Sequence, residues 1–159
     1  MKKYEFTGET KEIRLLFRTA TLHRIRATVA FGIVEVGDLG GWIEKEENLS
    51  HEGKAWVWGN AKVWGNAEVW GNAEVFSASH VLVIGAIGSR NDFTTFYRDK
   101  DNEITVKCGC FLGKIDRFLE KVTQTHGDSK YALVYRAAVE VAKLQIDLSG
   151  EAPKDADEE

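Results

Sequence analysis

The side chains with the most chemistry to offer are few. His51 and His80 lie in or beside a repetitive stretch and are the first candidates for proton transfer, because imidazole titrates near neutrality. Cys108-Gly109-Cys110 puts two thiols on one face of an extended segment. With His126 or His23 these could begin a metal site, but structural zinc needs four ligands and no second cysteine pair is present. The sequence therefore assigns no metal or other cofactor and reads the thiols as reduced, structural cysteines. Gly37-Asp38-Leu39-Gly40-Gly41 lacks the lysine that a phosphate loop requires, and chain corners account for its glycines. Asp116, Glu120 and Asp128 form no paired-carboxylate constellation and read as solvated helix faces. No catalytic residue emerges. What remains are binding groups: the rings of Trp58, Trp64, Trp70 and Phe76, and the basic side chains Arg14, Arg18, Arg24 and Arg26.

The elements that must position these groups follow from a repeat. From Val57 the chain reads Val-Trp-Gly-Asn-Ala-Lys, then Val-Trp-Gly-Asn-Ala-Glu twice, then the looser Val-Phe-Ser-Ala-Ser-His and Val-Leu-Val-Ile-Gly-Ala. A period of six suits neither an α-helix nor a hairpin meander, but it suits a three-sided coil of short strands and corners. Val57, Val63, Val69, Val75 and Val81 are then inward, Ala55, Ala61, Ala67 and Ala73 fill crowded corners, and Gly59-Asn60, Gly65-Asn66 and Gly71-Asn72 make the turns. Strand alternation turns Trp58, Trp64 and Trp70 outward, on three faces rather than one. One or two of these rings are expected under the N-terminal segment and the C-terminal unit. Any left exposed would mark a contact surface.

The flanks read differently. Residues 4–30 alternate loosely (Tyr4, Phe6; Leu15, Phe17; Leu22, Arg24, Arg26), and residues 1–35 are expected to form a β cap over one end of the coil at residues 36–88. Residues 89–148 predict a β-β-α-α unit. Its strands lie around Phe93–Arg98 and Glu103–Cys108. The first helix carries Ile115, Phe118, Leu119 and Val122 and stops at Gly127; the second is capped by Asp128 or Ser129. Residues 149–159 form an acidic tail expected to be disordered.

On these motifs the chain resembles the hexapeptide-repeat, left-handed parallel β-helix family, in which three hexads make one coil. The expected fold is mainly β with a C-terminal α+β unit, the coil having about two to three turns. Gly37-Asp38-Leu39-Gly40-Gly41-Trp42-Ile43-Glu44, ahead of the Val-Trp-Gly-Asn-Ala repeats, makes residues 4–75 similar to hexapeptide-repeat proteins of bacteriophages and prophages. That resemblance implies a homo-oligomer, typically a trimer, and a host-directed role such as blocking a defence protein. It also implies residence in the cytoplasm of the bacterial host. Acyl-CoA-dependent acyltransferases share the repeat and would look to His51 or His80 as base, but they need more coils than this chain supplies.

Charge narrows the partners. The net charge of −4 equals that of the last nine residues, with five acids and Lys154, so the body is near neutral and offers no broad field for duplex DNA. Nor is there an apolar run long enough to span a membrane, or a leader-like N-terminus. The leading expectation is a non-enzymatic binding protein that self-associates and engages a host protein. The alternative is an oligomeric sponge for a nucleotide-type ligand, with its base on tryptophan and its phosphate on arginine.

Overall fold

The computed structural model describes residues 2–149; the acidic tail beyond Ser149 lies outside the described residues. Alternating side chains make Tyr4–Arg14 (β1) and Thr19–Ala27 (β2) an antiparallel hairpin, with Tyr4 opposite Ala27 and Arg14 opposite Thr19. Tyr4, Ala20, Leu22, Ile25 and Ala27 face inward and are buried. Leu39–Ile43 (β3) adds to β2, again antiparallel. The repeat then yields only two-residue strands: Trp56–Val57 (β4), Lys62–Val63 (β5) and Glu74–Val75 (β6). Val81–Ile87 (β7), Asp92–Arg98 (β8), Ile104–Cys108 (β9) and Phe111–Lys114 (β10) form a meander, followed by helices Ile115–His126 (α1) and Lys130–Gln145 (α2).

The left-handed parallel β-helix expected from the repeat is not what forms. Among the described residues there are three separate sheets, ordered β1-β2-β3-β5, β10-β9-β8-β7 and β4-β6, and the two four-stranded ones are mostly antiparallel. Among the described residues, parallel pairing is confined to β3 with β5, β4 with β6, and a single bridge from Leu49 to Val69. The reason lies in the spacing. A Gly-Asn turn every six residues leaves room for two-residue ladders only, and after Val75 the turns stop. The fifth hexad, having no Gly-Asn, runs straight as β7 and pairs with β8 instead of closing another turn. Within the repeat the residue types still sort by size. Val57, Val63, Val69 and Val75, and Ala55, Ala61, Ala67 and Ala73, are buried, whereas Val81 is half-buried.

Two glycines of β3 fix how closely it approaches the repeat. A Cβ on Gly40 would lie 2.6 Å from the Trp56 ring and 2.7 Å from Ile25; one on Gly41 would lie 2.6 Å from the Ala61 carbonyl oxygen. Close packing on the repeat, rather than corners or phosphate binding, explains this pair. The C-terminal unit has a core of its own around Phe96, Val106, Phe118, Tyr135 and Val139. It is tied to the repeat by Lys100 N–H to Asn72 O (2.9 Å), Asp147 N–H to Ser79 O (3.2 Å) and Glu68 N–H to the Thr95 hydroxyl (3.0 Å).

Candidate functional site

The first sheet gathers cations on one ring. Trp42, on β3, is covered by Lys11 from β1, whose ammonium stands 4.0 Å from the ring centre, and by Arg24 from β2, whose guanidinium lies at 5.6 Å. Lys62 sits opposite Trp42 across the β3–β5 pairing. The strand order places all three by period-2 alternation: Lys11 pairs with Leu22, and Arg24 with Trp42. Burial lowers the Lys11 pKa first, and Lys62 and Arg24 lower it further, with Glu9 opposing them. Arg24 is held in place by a bond to the Gly40 carbonyl (3.1 Å) and stands 3.9 Å from Glu9.

Lys62 continues into a cavity of about 290 Å³ between the repeat and the β7–β8 hairpin, lined by Trp64, Gly65, Asn66, Val81, Val83 and Phe93 among others. Trp64 is half-buried and packs against the cluster of Ala20, Leu22 and Trp42, so the cation-covered ring and the cavity share a wall. That wall is braced from behind. Asn48 is fully buried; its amide donates to the carbonyls of Gly65 (3.1 Å) and Ala67 (2.9 Å) and its oxygen accepts from Lys45 N–H (3.0 Å). Glu44 accepts from Gly65 N–H (2.9 Å) and pairs with both arms of Arg18, at 2.5 and 3.0 Å. The Arg18 bonds come first in holding the Glu44 carboxyl down at about 2.

The residues singled out in the sequence are therefore dispersed. Trp64 and Arg24 come together with Lys11, Trp42 and Lys62. Trp58 and Phe76 are buried against each other at 5.7 Å. Trp70, half-buried on another side, lies under the Lys107 ammonium at 4.7 Å. Arg18 is engaged by Glu44 and Arg26 by Glu5 (2.7 Å), while Arg14 is exposed. The two histidines are structural in their contacts. His51 accepts from Lys3 N–H (3.0 Å), faces Glu46 (3.1 Å) and stacks on Tyr4 (4.0 Å); His80 accepts from Phe76 N–H (3.0 Å) and meets Arg98 at 3.4 Å. Each has both ring nitrogens occupied. Of the thiols, Cys108 is half-buried and Cys110 exposed.

Sequence reasoning missed Lys11, Trp42, Lys62 and Phe93. Trp42 carried a signal, since a tryptophan inside Gly-Gly-Trp-Ile with cationic strands nearby is a natural cation–π acceptor. Phe93 carried none, because its place depends on how β7 and β8 fold back. Among the described residues no helix is long and apolar enough to cross a membrane. Comparison with protein-family models and with curated proteins found no match.

Proposed function

We propose that this protein is a non-catalytic binding protein that self-associates and holds a small anionic ligand with an aromatic ring, of nucleotide type. The observation that carries the reading is the convergence of the Lys11 and Arg24 cations on Trp42, with Lys62 opposite it on β5 and lining the adjoining Trp64–Phe93 cavity. Anionic groups are drawn to gathered cations, and a flat ring is accepted between aromatic faces whatever its edge pattern. The braced Gly65–Ala67 wall supports the reading in a second way, because a preformed site loses little entropy on binding.

Thermal-shift screening with mono- and dinucleotides at millimolar concentration tests it. A ligand at one hundred times its Kd stabilises by about 2.7 kcal/mol, a Tm rise of roughly 5–10 °C for a chain of this size. The rise is expected to vanish in Lys11→Gln/Lys62→Gln and to persist in Arg26→Gln, whose residue is engaged elsewhere. No rise with any nucleotide, or a rise equalled by inorganic phosphate, would sink the reading.

A host protein as partner is the second reading, favoured by the tip of the β1–β2 hairpin. Leu16 and Phe17 there are 88% and 94% exposed, between Arg14 and Arg18. Under it, a partner captured by the native chain is lost with Leu16→Ser/Phe17→Ser and kept with Lys11→Gln/Lys62→Gln. The opposite pattern would return the partner to the cation face.

A further inference from the structure

A second cavity, of about 190 Å³, opens in the C-terminal unit where the β9–β10 turn meets α1 and α2. We infer that it is a site for a small organic anion, a carboxylate or phosphate on a short apolar body, and this inference is independent of the cation face on the first sheet.

Its floor is apolar and aromatic. Phe118 stands 5.5 Å from Phe111 and meets Tyr135 edge-on at 5.7 Å, with Val122 beside them. His126, in the last turn of α1, stacks on Tyr135 at 5.7 Å. At the back, the Thr94 hydroxyl donates to Cys108 Sγ (3.3 Å), and the Tyr135 phenol, beside the same thiol, has its pKa raised by burial first and by Cys108 next. Tyr135 reaches it because residue 88 is glycine. A Cβ on Gly88 would fall 1.8 Å from the Tyr135 hydroxyl oxygen. The site is thus built by a specific accommodation rather than left over between elements.

The rim supplies the charge. Arg90 and Lys121 are exposed, and neither side chain has an ion pair or hydrogen bond among the described residues. The single acid there, Asp92, takes the N–H of Phe93 at 2.7 Å. Two cations over an aromatic floor, with the hydroxyls of Ser89 and Thr125 alongside, select a compact anion. At about 190 Å³ the volume is well below the roughly 300–1,000 Å³ of sites for drug-sized ligands, which favours a compact anion.

The two thiols that line the cavity serve as built-in reporters. Their rates of modification by an anionic aromatic disulfide, 5,5′-dithiobis(2-nitrobenzoate), and a neutral one, 2,2′-dithiodipyridine, are compared on the full chain. The anionic-to-neutral rate ratio is expected to fall about tenfold in Arg90→Gln/Lys121→Gln at low salt, the scale of local electrostatic steering. Phenyl phosphate or benzoate, at constant ionic strength, is expected to slow both reagents saturably in the native chain and not in that variant. Both substituted residues are exposed, so folding is preserved. Slowing no greater than chloride gives at the same ionic strength, or equal slowing in the variant, would overturn the site.

Discussion

Asn48 replaces, with one amide, the pairing that a missing strand would supply: three backbone groups on two segments, buried or partly so, end on it. Asn48→Ala is expected to cost about 2–4 kcal/mol in urea unfolding, since each buried group left unsatisfied carries roughly 1–3 kcal/mol and some relaxation occurs. It should also weaken nucleotide binding, because the Gly65–Ala67 wall loses its brace. Acid is the second residue-scale lever. Burial first, then Arg98, lowers the His80 pKa below its ordinary 6.5, so the unfolded chain takes up the proton before the folded one. Stability is fully present above the ordinary value and is lost as pH falls through the folded one. Unfolding midpoints from about pH 7.5 to 5.5 should therefore drop in the native chain and flatten in His80→Asn, whose side-chain oxygen can still accept from Phe76 N–H. Glu44 acts lower: its contribution holds above 4.5 and disappears toward about 2. None of this was legible in the sequence. An asparagine ahead of Leu-Ser-His looks like a corner, and a histidine ending a hexad looks like surface, until distant carbonyls and an arginine are brought to them.

At the scale of elements, local pattern spoke clearly where it was long. The stripe from Ile115 to Val122 and the stop at Gly127 describe α1, and Ser129 takes the N-cap position of α2, although its side chain makes no capping bond. The hairpin β1–β2 follows from alternation. The repeat misled because its period fixes which residues face inward but not how many rungs stack, and its strands are too short to dictate a sheet. Their neighbours decided instead: β3 was captured by the longer β2, and β7 by β8. Gly41 is where this can be tested. Gly41→Ala must push a Cβ against the Ala61 carbonyl and a Val57 methyl, and is expected to destabilise by about 1–3 kcal/mol in chemical unfolding, with the larger part recovered by Val57→Ala in the same chain. No recovery would mean that the backbone carbonyl, rather than the side chain, sets the limit.

The whole molecule carries apolar surface that its own fold does not cover. Leu133 and Leu144, on the outer side of α2, are 61% and 89% exposed, and both are large enough to favour company. Light scattering at tens of micromolar is expected to give a multiple of 17.8 kDa, falling toward one copy in Leu133→Glu/Leu144→Glu with circular dichroism unchanged. A native monomer would remove self-association from the proposed reading. The proposed ligand class could not be read from composition: the near-neutral body hides two cations on one tryptophan with Lys62 opposite, and only strand order reveals them. The fit of Gly88 under Tyr135 has a further consequence, one of descent. Two positions distant in the chain are bound to a shared history, since a lineage that acquires any side chain at 88 must first, or at once, trade its tyrosine at 135 for something shorter. Paired change at these positions, where sequences of this kind diverge, would record whether the thiol cleft was kept or abandoned.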